Sequence, residues 1–159
     1  MFRRMRKSKQ LLSAEDTAAV MGRCTSGVLA CLGDEGYPYT VPVNYVYFNN
    51  KVYFHSAKSG HKIDAVKKNP KVSFAVIDKD SIVSNEYTSY FRSVIVFGRA
   101  RIVEGDEWLE AFRALVEKFS GDQPEESKHK EIEGCKRSYI IAIDVEHMTG
   151  KEAIELVSK

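Results

Sequence analysis

Cysteine is scarce in this chain, and its positions argue against a disulfide framework. The sequence contains Cys24, Cys31 and Cys135, an odd number of residues that are far apart and form no CxxC pair. This spacing favours free thiols in a reducing compartment. We therefore expect a cytoplasmic protein that needs neither a disulfide nor a structural metal to fold.

An excess of charge of one sign and a long apolar run are also missing. The 24 Lys and Arg residues nearly balance the 22 Asp and Glu residues, which leaves a net charge of +2. A nearly neutral molecule has no general attraction for nucleic acid or for an anionic membrane. Residues 1–12 form a basic N-terminal arm, and no apolar stretch long enough for a signal peptide or transmembrane helix follows it. We interpret the arm as solvated and expect one domain over residues 1–159.

The motifs of several common catalytic and metal sites are absent as well. The chain has no HExxH motif, no Walker loop and no GxSxG elbow. His55 and His61 lie six residues apart without a paired cysteine or carboxylate ligand, so no metal site is predicted. Catalytic residues stay unassigned at this level.

The periodicity of the sequence predicts an α+β protein with six strands and three helices. Helices are expected over residues 14–22, briefly after Gly60, and over 106–119, where capping signals or helical apolar spacing occur. Strands are expected over residues 27–32, 39–48, 52–55, 72–77, 92–104 and 139–145, with a bend or bulge at Gly98. Residues 78–90 are expected to form a polar loop, and residues 121–137 a mobile loop or irregular helix. Hairpins dominate this order, which favours a small barrel over a doubly wound sheet.

Two neighbouring segments carry the most informative chemistry. Pro42 lies in the middle of a predicted strand, which implies an edge, a bulge or a backbone that faces a ligand. Ser56 and Ser59 end the next strand, and Gly60 opens a helix whose free N–H groups are joined by the charges of Lys58, His61 and Lys62. Such converging donors are suited to a phosphate group. The same pattern also fits a capped helix with solvated lysines, and spacing alone does not decide between the two.

Four strings, taken together, resemble a known family. They are PYTVPVNYVY, YFHSAKSGHK, NPKVSFAV and SVIVFGRARIVE, within residues 22–119. Their joint pattern is similar to the FMN-binding flavoproteins related to pyridoxamine phosphate oxidase, and more closely to the nitroimidazole-resistance (Nim) type. The resemblance implies an α+β fold built on a six-stranded split β-barrel with peripheral helices. It also implies a homodimer that holds one FMN in each of two clefts between the subunits.

The resemblance assigns residues to this cleft. Val41, Pro42, Val43 and Asn44 would line the isoalloxazine ring; His55 and Ser56 would reach the phosphate or the ribityl chain; Lys62, with His61 beside it, would supply the phosphate cation. Tyr87, Tyr90, Arg92 and Ser93 would complete the cleft from the loop and the strand that follow.

The resemblance also indicates an activity. It implies an FMN-dependent oxidoreductase that reduces a small, flat electron acceptor such as a nitroaromatic compound, with electrons from NAD(P)H. The alternative is a non-catalytic binding or sensing protein that holds a flavin, a deazaflavin or haem in the same cleft. The chain has TVPVN where the oxidase proper has a basic, hydrogen-bonding strand, and it lacks a convincing match to that enzyme's C-terminal arginine motif. Oxidation of pyridoxamine phosphate is therefore not expected.

Overall fold

The fold is α+β, with seven antiparallel strands in one sheet and four α-helices. It is seen in a computed structural model that describes residues 1–157. The strands are β1 (Ser26–Leu32), β2 (Pro38–Asn44), β3 (Val46–Phe48), β4 (Lys51–Ser56), β5 (Lys71–Val83), β6 (Thr88–Val103) and β7 (Tyr139–Glu152). The helices are α1 (Ala14–Arg23), α2 (His61–Lys68), α3 (Gly105–Ser120) and α4 (Glu125–Gly134). In this described part of the chain, no helix is long and apolar enough to cross a membrane.

The sheet is strongly curved, because a single residue joins its two edge strands. The strand order is β2-β1-β5-β6-β7-β4-β3, so β2 and β3 lie at opposite edges, yet only Tyr45 separates them along the chain. Tyr45 is fully buried, and its hydroxyl donates a 2.7 Å hydrogen bond to the Met21 carbonyl. The backbone N–H of Tyr45 donates to the carbonyl of Thr25 at 3.2 Å. Tyr45 is therefore the point at which the chain passes from one edge of the sheet to the other.

The predicted count of six strands is not confirmed, because the predicted strand 39–48 is two strands. Residues up to Asn44 pair with β1, whereas residues from Val46 onward pair with β4. Tyr45 and Val46 are both buried, which breaks the alternation of exposed and buried side chains along this segment. The partner therefore changes at Tyr45, where the sequence itself has no turn residue.

Residues 78–90, expected to form a loop, and residues 121–137, expected to form a mobile loop or irregular helix, are largely ordered. β5 and β6 extend through most of the predicted loop 78–90 as a paired ribbon, with a register shift between Ile77 and Lys79. Residues 121–137 contain the helix α4, which is polar and buries only Lys128 and Ile132. The predicted irregularity at Gly98 is confirmed, since the β6–β7 register shifts between Phe97 and Gly98.

The sheet packs on both of its faces where β4 and β7 meet. One face of these strands, with Val52, Phe54, Ile141 and Ile143, lies in the core enclosed by the curved sheet. The other face, with Tyr53, Ile140 and Ala142, packs against α3, the amphipathic helix that the sequence predicts. Burying a side chain of this size contributes about 1.5–3 kcal/mol. The continuous apolar run of β7 is thus explained by burial on both faces.

The basic N-terminal arm is anchored to the sheet at two points. The ring of Phe2 stacks on that of His147, with centroids 4.8 Å apart and an interplanar angle of 5°, and lies 5.4 Å from the ring of Phe97. Leu11 forms an isolated antiparallel bridge with Lys151 of β7. Arg3 and Arg4 are exposed, as expected of a solvated arm, whereas Gln10 is buried, and Phe2, although 40% exposed, contacts the sheet.

Candidate functional site

The predicted site begins on β2, which is an edge strand. Its side chains alternate: Val41 and Val43 are half-buried, whereas Thr40, Pro42 and Asn44 are exposed. Pro42 lies opposite Val28 of β1. Proline lacks an N–H and is tolerated in a sheet where that group would have no partner, as on an edge strand. The edge location, one of the three that the sequence left open, therefore accounts for Pro42, and the other side of β2 keeps a backbone available for a ligand.

The segment from β4 to α2 approaches this edge of the sheet, with one ring contact and one shared cavity. Near the start of β2, the rings of Tyr39 and His61 lie 4.0 Å apart. At its other end, Asn44 lines the same cavity as His55 of β4. The structure thus places Asn44 and His55 on one cavity and His61 against Tyr39 of the same strand, and the assignment of these residues to a ligand stays a prediction.

The start of α2 has the features of an anion-binding turn. Gly60, its N-cap residue, has a φ of 129° and offers no side chain to cap the helix. A Cβ atom at Gly60 would meet nothing within 4 Å, so the space around this turn is open. Lys62 in the first turn is half-buried and makes no ion pair with another residue in the range 1–157. Uncapped N–H groups, the positive end of the helix dipole and an unpaired ammonium favour an anion here.

Ser56 and His61 flank this turn but use some of their hydrogen-bonding capacity within the protein. The buried Ser56 donates its hydroxyl proton to the carbonyl of Ala57 at 2.9 Å. The Nε2 atom of His61 accepts a 3.3 Å hydrogen bond from the backbone N–H of Asp34. The hydroxyl oxygen of Ser56 can still accept a hydrogen bond, and His61 is held in place beside Tyr39.

A cavity of about 480 Å³ is lined by Asn44 and His55 but by no residue of α2. Its apolar wall comes from Phe112, Leu115, Val116 and Phe119 of α3, and the ring of His55 lies 6.3 Å from that of Phe112. Polar groups at its other side come from the end of α3, the following turn and α4: Ser120, Gln123, Ser127, Lys128 and Glu131. Sequence reasoning missed these residues, although the helical apolar stripe of α3 was visible as a signal of packing.

Arg92 and Ser93 are not brought to β2 within one chain. Both lie on β6, which β1 and β5 separate from β2, and Ser93 lies opposite Ile77 and Lys151. The guanidinium of Arg92 donates to Asp78 at 3.2 Å and to Glu152 at 3.0 Å. The Arg23 guanidinium also contacts Asp78, at 2.6 Å. Hydrogen bonds from Arg23, and then from Arg92, lower the pKa of Asp78 to about 2. The place of Arg92 and Ser93 in the site stays a prediction.

Lys118 is a further residue near the site that sequence reasoning missed. Its Nζ donates to the carbonyl of Tyr45 at 3.0 Å and to the carbonyl of Cys24, and it lies 4.4 Å from the centre of the Tyr45 ring. Burial lowers the pKa of this ammonium group. Lys118 therefore ties the end of α3, and with it part of the cavity wall, to the residue that joins the two edges of the sheet.

Comparison with solved structures supports this fold. A conserved hypothetical protein of Mycobacterium tuberculosis superposes with a TM-score of 0.80 at 19% identity, over 94% of this chain and 90% of that protein. A protein of Bacteroides thetaiotaomicron assigned to 5-nitroimidazole antibiotic resistance gives 0.73 at 22% identity, over 89% and 86% of the two chains. An FAD-binding protein of Mesorhizobium loti gives 0.61 at 26% identity, over 91% and 97%.

A sequence model of one family covers most of the chain. Residues 13–152 match the model described as pyridoxamine 5'-phosphate oxidase. The matched range includes β2, the β4–α2 segment and the whole cavity wall. On this evidence, the chain belongs to the pyridoxamine 5'-phosphate oxidase family.

Proposed function

We propose that this protein is an FMN-binding flavoprotein of the split-barrel type, and that it acts as an oxidoreductase on a small, flat electron acceptor with electrons from NAD(P)H. The observation that carries the proposal is the uncapped start of α2, with Gly60 and Lys62, beside the free edge of a strand that contains Pro42. The FAD-binding protein of Mesorhizobium loti, which has the same fold, supports a flavin as the ligand.

The phosphate of FMN fits the turn at the start of α2. A phosphate monoester carries nearly two negative charges at neutral pH and accepts several hydrogen bonds. The free N–H groups of the first turn and the ammonium of Lys62 would bind it, with Ser56 and His61 beside them. This single turn with one unpaired lysine is suited to one terminal phosphate, which favours FMN over a dinucleotide.

The isoalloxazine ring would lie along β2. Residues 41–44 offer backbone groups at the free edge, and the side chains of Asn44 and His55 end at the neighbouring cavity. When bound, the flavin supplies hydride and single-electron chemistry, so the protein needs to bind, orient and shield it rather than to provide a nucleophile. The side-chain amide of Asn44 donates a hydrogen bond to the Thr25 carbonyl at 3.1 Å. This bond would hold the Asn44 side chain beside the proposed position of the isoalloxazine ring.

A homodimer is part of the proposal, and an apolar row on the outer face of the sheet supports it. Pro42, Val28, Ala75, Ile95 and Thr149 lie opposite one another in register across five strands. Val28 is 36% exposed and Ile95 45% exposed, although both lie in the middle of long strands. A second copy that covers this row would remove apolar surface from water. In such a dimer, Arg92 and Ser93 would have to reach a cleft from the other protomer.

The visible spectrum of the purified protein, with and without added FMN, tests the cofactor. A flavin spectrum is expected, and a haem spectrum or no uptake of FMN would contradict the proposal. Anaerobic titration with NADPH, followed by a nitroaromatic acceptor, tests the activity. Bleaching by NADPH and reoxidation by the acceptor are expected, whereas a flavin that no donor reduces would indicate a binding or sensing role.

A further inference from the structure

The cavity beside Asn44 and His55 is built as a compartment separate from the phosphate turn. Of the residues that we assign to the flavin, only Asn44 and His55 line it, and neither Lys62 nor Gly60 does. Its volume of about 480 Å³ lies within the range of roughly 300–1,000 Å³ typical of small-molecule pockets. A group bound at the start of α2 and a compound bound in this cavity would therefore contact different residues.

One wall of the cavity favours an aromatic ligand. Four apolar side chains of α3 line it, and the partly exposed ring of Phe119 stands at its rim with 41% of its surface accessible. Phe112 also stacks on Trp108, with ring centroids 5.0 Å apart, so its ring is packed against a second aromatic side chain. A flat apolar ring is suited to such a wall, because the face that lies against the wall loses contact with water.

The charges around the cavity disfavour an anion. Lys128 is the only lysine or arginine among the lining residues, and its side chain is 7% exposed. Its Nζ lies 2.9 Å from a carboxylate oxygen of Glu117 and 2.9 Å from one of Glu125. Hydrogen bonds to these carboxylates raise the pKa of Lys128, and their negative charges offset the positive charge of its ammonium group. Glu131 adds a further negative charge to the lining, and His55 is the remaining titratable group. Lys128 is thus paired with two carboxylates that lie outside the lining, and Glu131 lies within it, so the lining offers an anion no unpaired lysine or arginine.

We infer that this cavity binds a flat, uncharged aromatic compound and discriminates against anionic ones. The side chains of Asn44, Ser120 and Gln123 provide hydrogen bonds for neutral polar substituents. That the compound lies against a flavin rests on the proposed function. The preference for a neutral ring rests only on the wall and on the charges of α3 and α4.

Calorimetric titration with two matched probes tests the inference. The probes are 2-naphthol, which is neutral at pH 7, and 2-naphthoate, which has the same ring system and a negative charge. The wild-type protein, as isolated with its bound ligands, is expected to bind 2-naphthol about tenfold more tightly than 2-naphthoate, as expected for one unfavourable charge contact in a partly shielded site. Equal affinity, or tighter binding of 2-naphthoate, would overturn the inference.

Variants of the lining residues test whether 2-naphthol binds in this cavity. Glu131→Gln is expected to reduce the preference for 2-naphthol about threefold to tenfold, whereas Glu133→Gln, which removes the same charge from α4 outside the cavity, is expected to leave it unchanged. Leu115→Trp fills the apolar wall and is expected to weaken 2-naphthol binding at least tenfold, and Phe119→Ala to weaken it a few-fold without disturbing a buried position. An unchanged affinity in both wall variants would place the ligand elsewhere and overturn the inference.

The visible spectrum of the same samples separates the two proposals. A protein that contains flavin but binds neither probe would overturn the inference and leave the proposed function intact. A protein that takes up no flavin, yet prefers 2-naphthol in a manner that depends on Glu131, would support the inference and contradict the proposed function.

Discussion

At the scale of single residues, the sequence predicted the helix start at Gly60 better than it predicted the partners of charged side chains. Gly60, His61 and Lys62 occur where a local motif places them, since a strand end followed by a helix start is readable from the sequence. Arg92 illustrates the opposite case. Its guanidinium donates hydrogen bonds to Asp78 and Glu152, which lie 14 and 60 residues away along the chain, so no local sequence pattern indicates the interaction.

Lys62 gives the most direct test of the phosphate turn. Lys62→Ala removes a charge-assisted hydrogen bond and is expected to weaken FMN binding by about 1.5–3 kcal/mol, or roughly tenfold to a hundredfold in Kd. Fluorescence titration with FMN measures the effect. The control is Lys68→Ala at the exposed C-terminal end of the same helix, which should bind FMN as the wild type does. Equal loss in both variants would mean that the helix contributes only a general positive charge.

Asp78 gives a pH-dependent test of the ion-pair cluster. Its folded pKa of about 2 lies below the ordinary value of 3.8, so the carboxylate stabilises the fold above about pH 4 and loses this effect as the pH falls toward 2. Asp78→Asn is expected to lower the free energy of unfolding by about 2 kcal/mol at pH 7. In urea denaturation across this range, the difference from the wild type should shrink with acid. Asp80→Asn, at an exposed position on the same strand, should change stability little.

At the scale of secondary-structure elements, the sequence predicted those that carry a strong apolar pattern. The helix α3 and the strands β1 and β4 were predicted closely. The helix α4 was not, because its sequence has almost no apolar residues and it buries only Ile132 and the stem of Lys128. The break between β2 and β3 was missed for another reason: the change of partner at Tyr45 depends on how the whole sheet curves.

The docking of α4 is expected to depend on Lys128. Lys128→Ala removes the contacts with Glu117 on α3 and Glu125 on α4, and should speed the hydrogen exchange of residues 121–137 several-fold while leaving the sheet protected. Mass-spectrometric hydrogen exchange measures this. Lys130→Ala removes an exposed pair with Glu126 and is the matched control. Uniformly faster exchange across the whole chain would contradict a local role for Lys128.

The bulge between β6 and β7 is expected to require Gly98. A Cβ atom at this position would lie 2.3 Å from the carbonyl oxygen of Asp144 and 2.8 Å from Cγ2 of Ile143. Gly98→Ala should therefore cost about 1–3 kcal/mol of stability through overpacking. Gly22→Ala provides a contrast, because nothing lies within 4 Å of its Cβ position and it is in a helix. That substitution should stabilise the protein by about 0.5–1 kcal/mol in thermal or denaturant unfolding.

At the scale of the whole molecule, family membership was within reach of the sequence, whereas the strand count was not, and the homodimer that the resemblance implies stays a proposal. The four strings that carry the resemblance lie in β2–β6 and the start of α2, and the family model covers them all. The sheet has seven strands because the predicted strand 39–48 changes partner at Tyr45, where the two edges of the curved sheet come together. An exposed Val28 or Ile95 indicates a subunit interface only when the strand register shows that such residues lie in one row.

The proposed homodimer predicts that a charge in this row will separate the subunits. Ile95→Asp is expected to give a monomer at concentrations where the wild type sediments as a dimer, because an unpaired carboxylate would be buried at the interface. Analytical ultracentrifugation distinguishes the two states. Asn49→Asp adds the same charge at an exposed turn and should leave the dimer unchanged. A wild type that is monomeric at all concentrations would contradict the proposal.

Pro42 affects whether strands of other copies of the chain can pair with the free edge of β2. A free sheet edge is a template on which strands from other chains can add, and repeated addition leads to aggregates. A strand laid along β2 would find no amide hydrogen at Pro42, so a continuous ladder cannot form there. Pro42 thus interrupts strand addition along the same edge that we propose to hold the flavin ring.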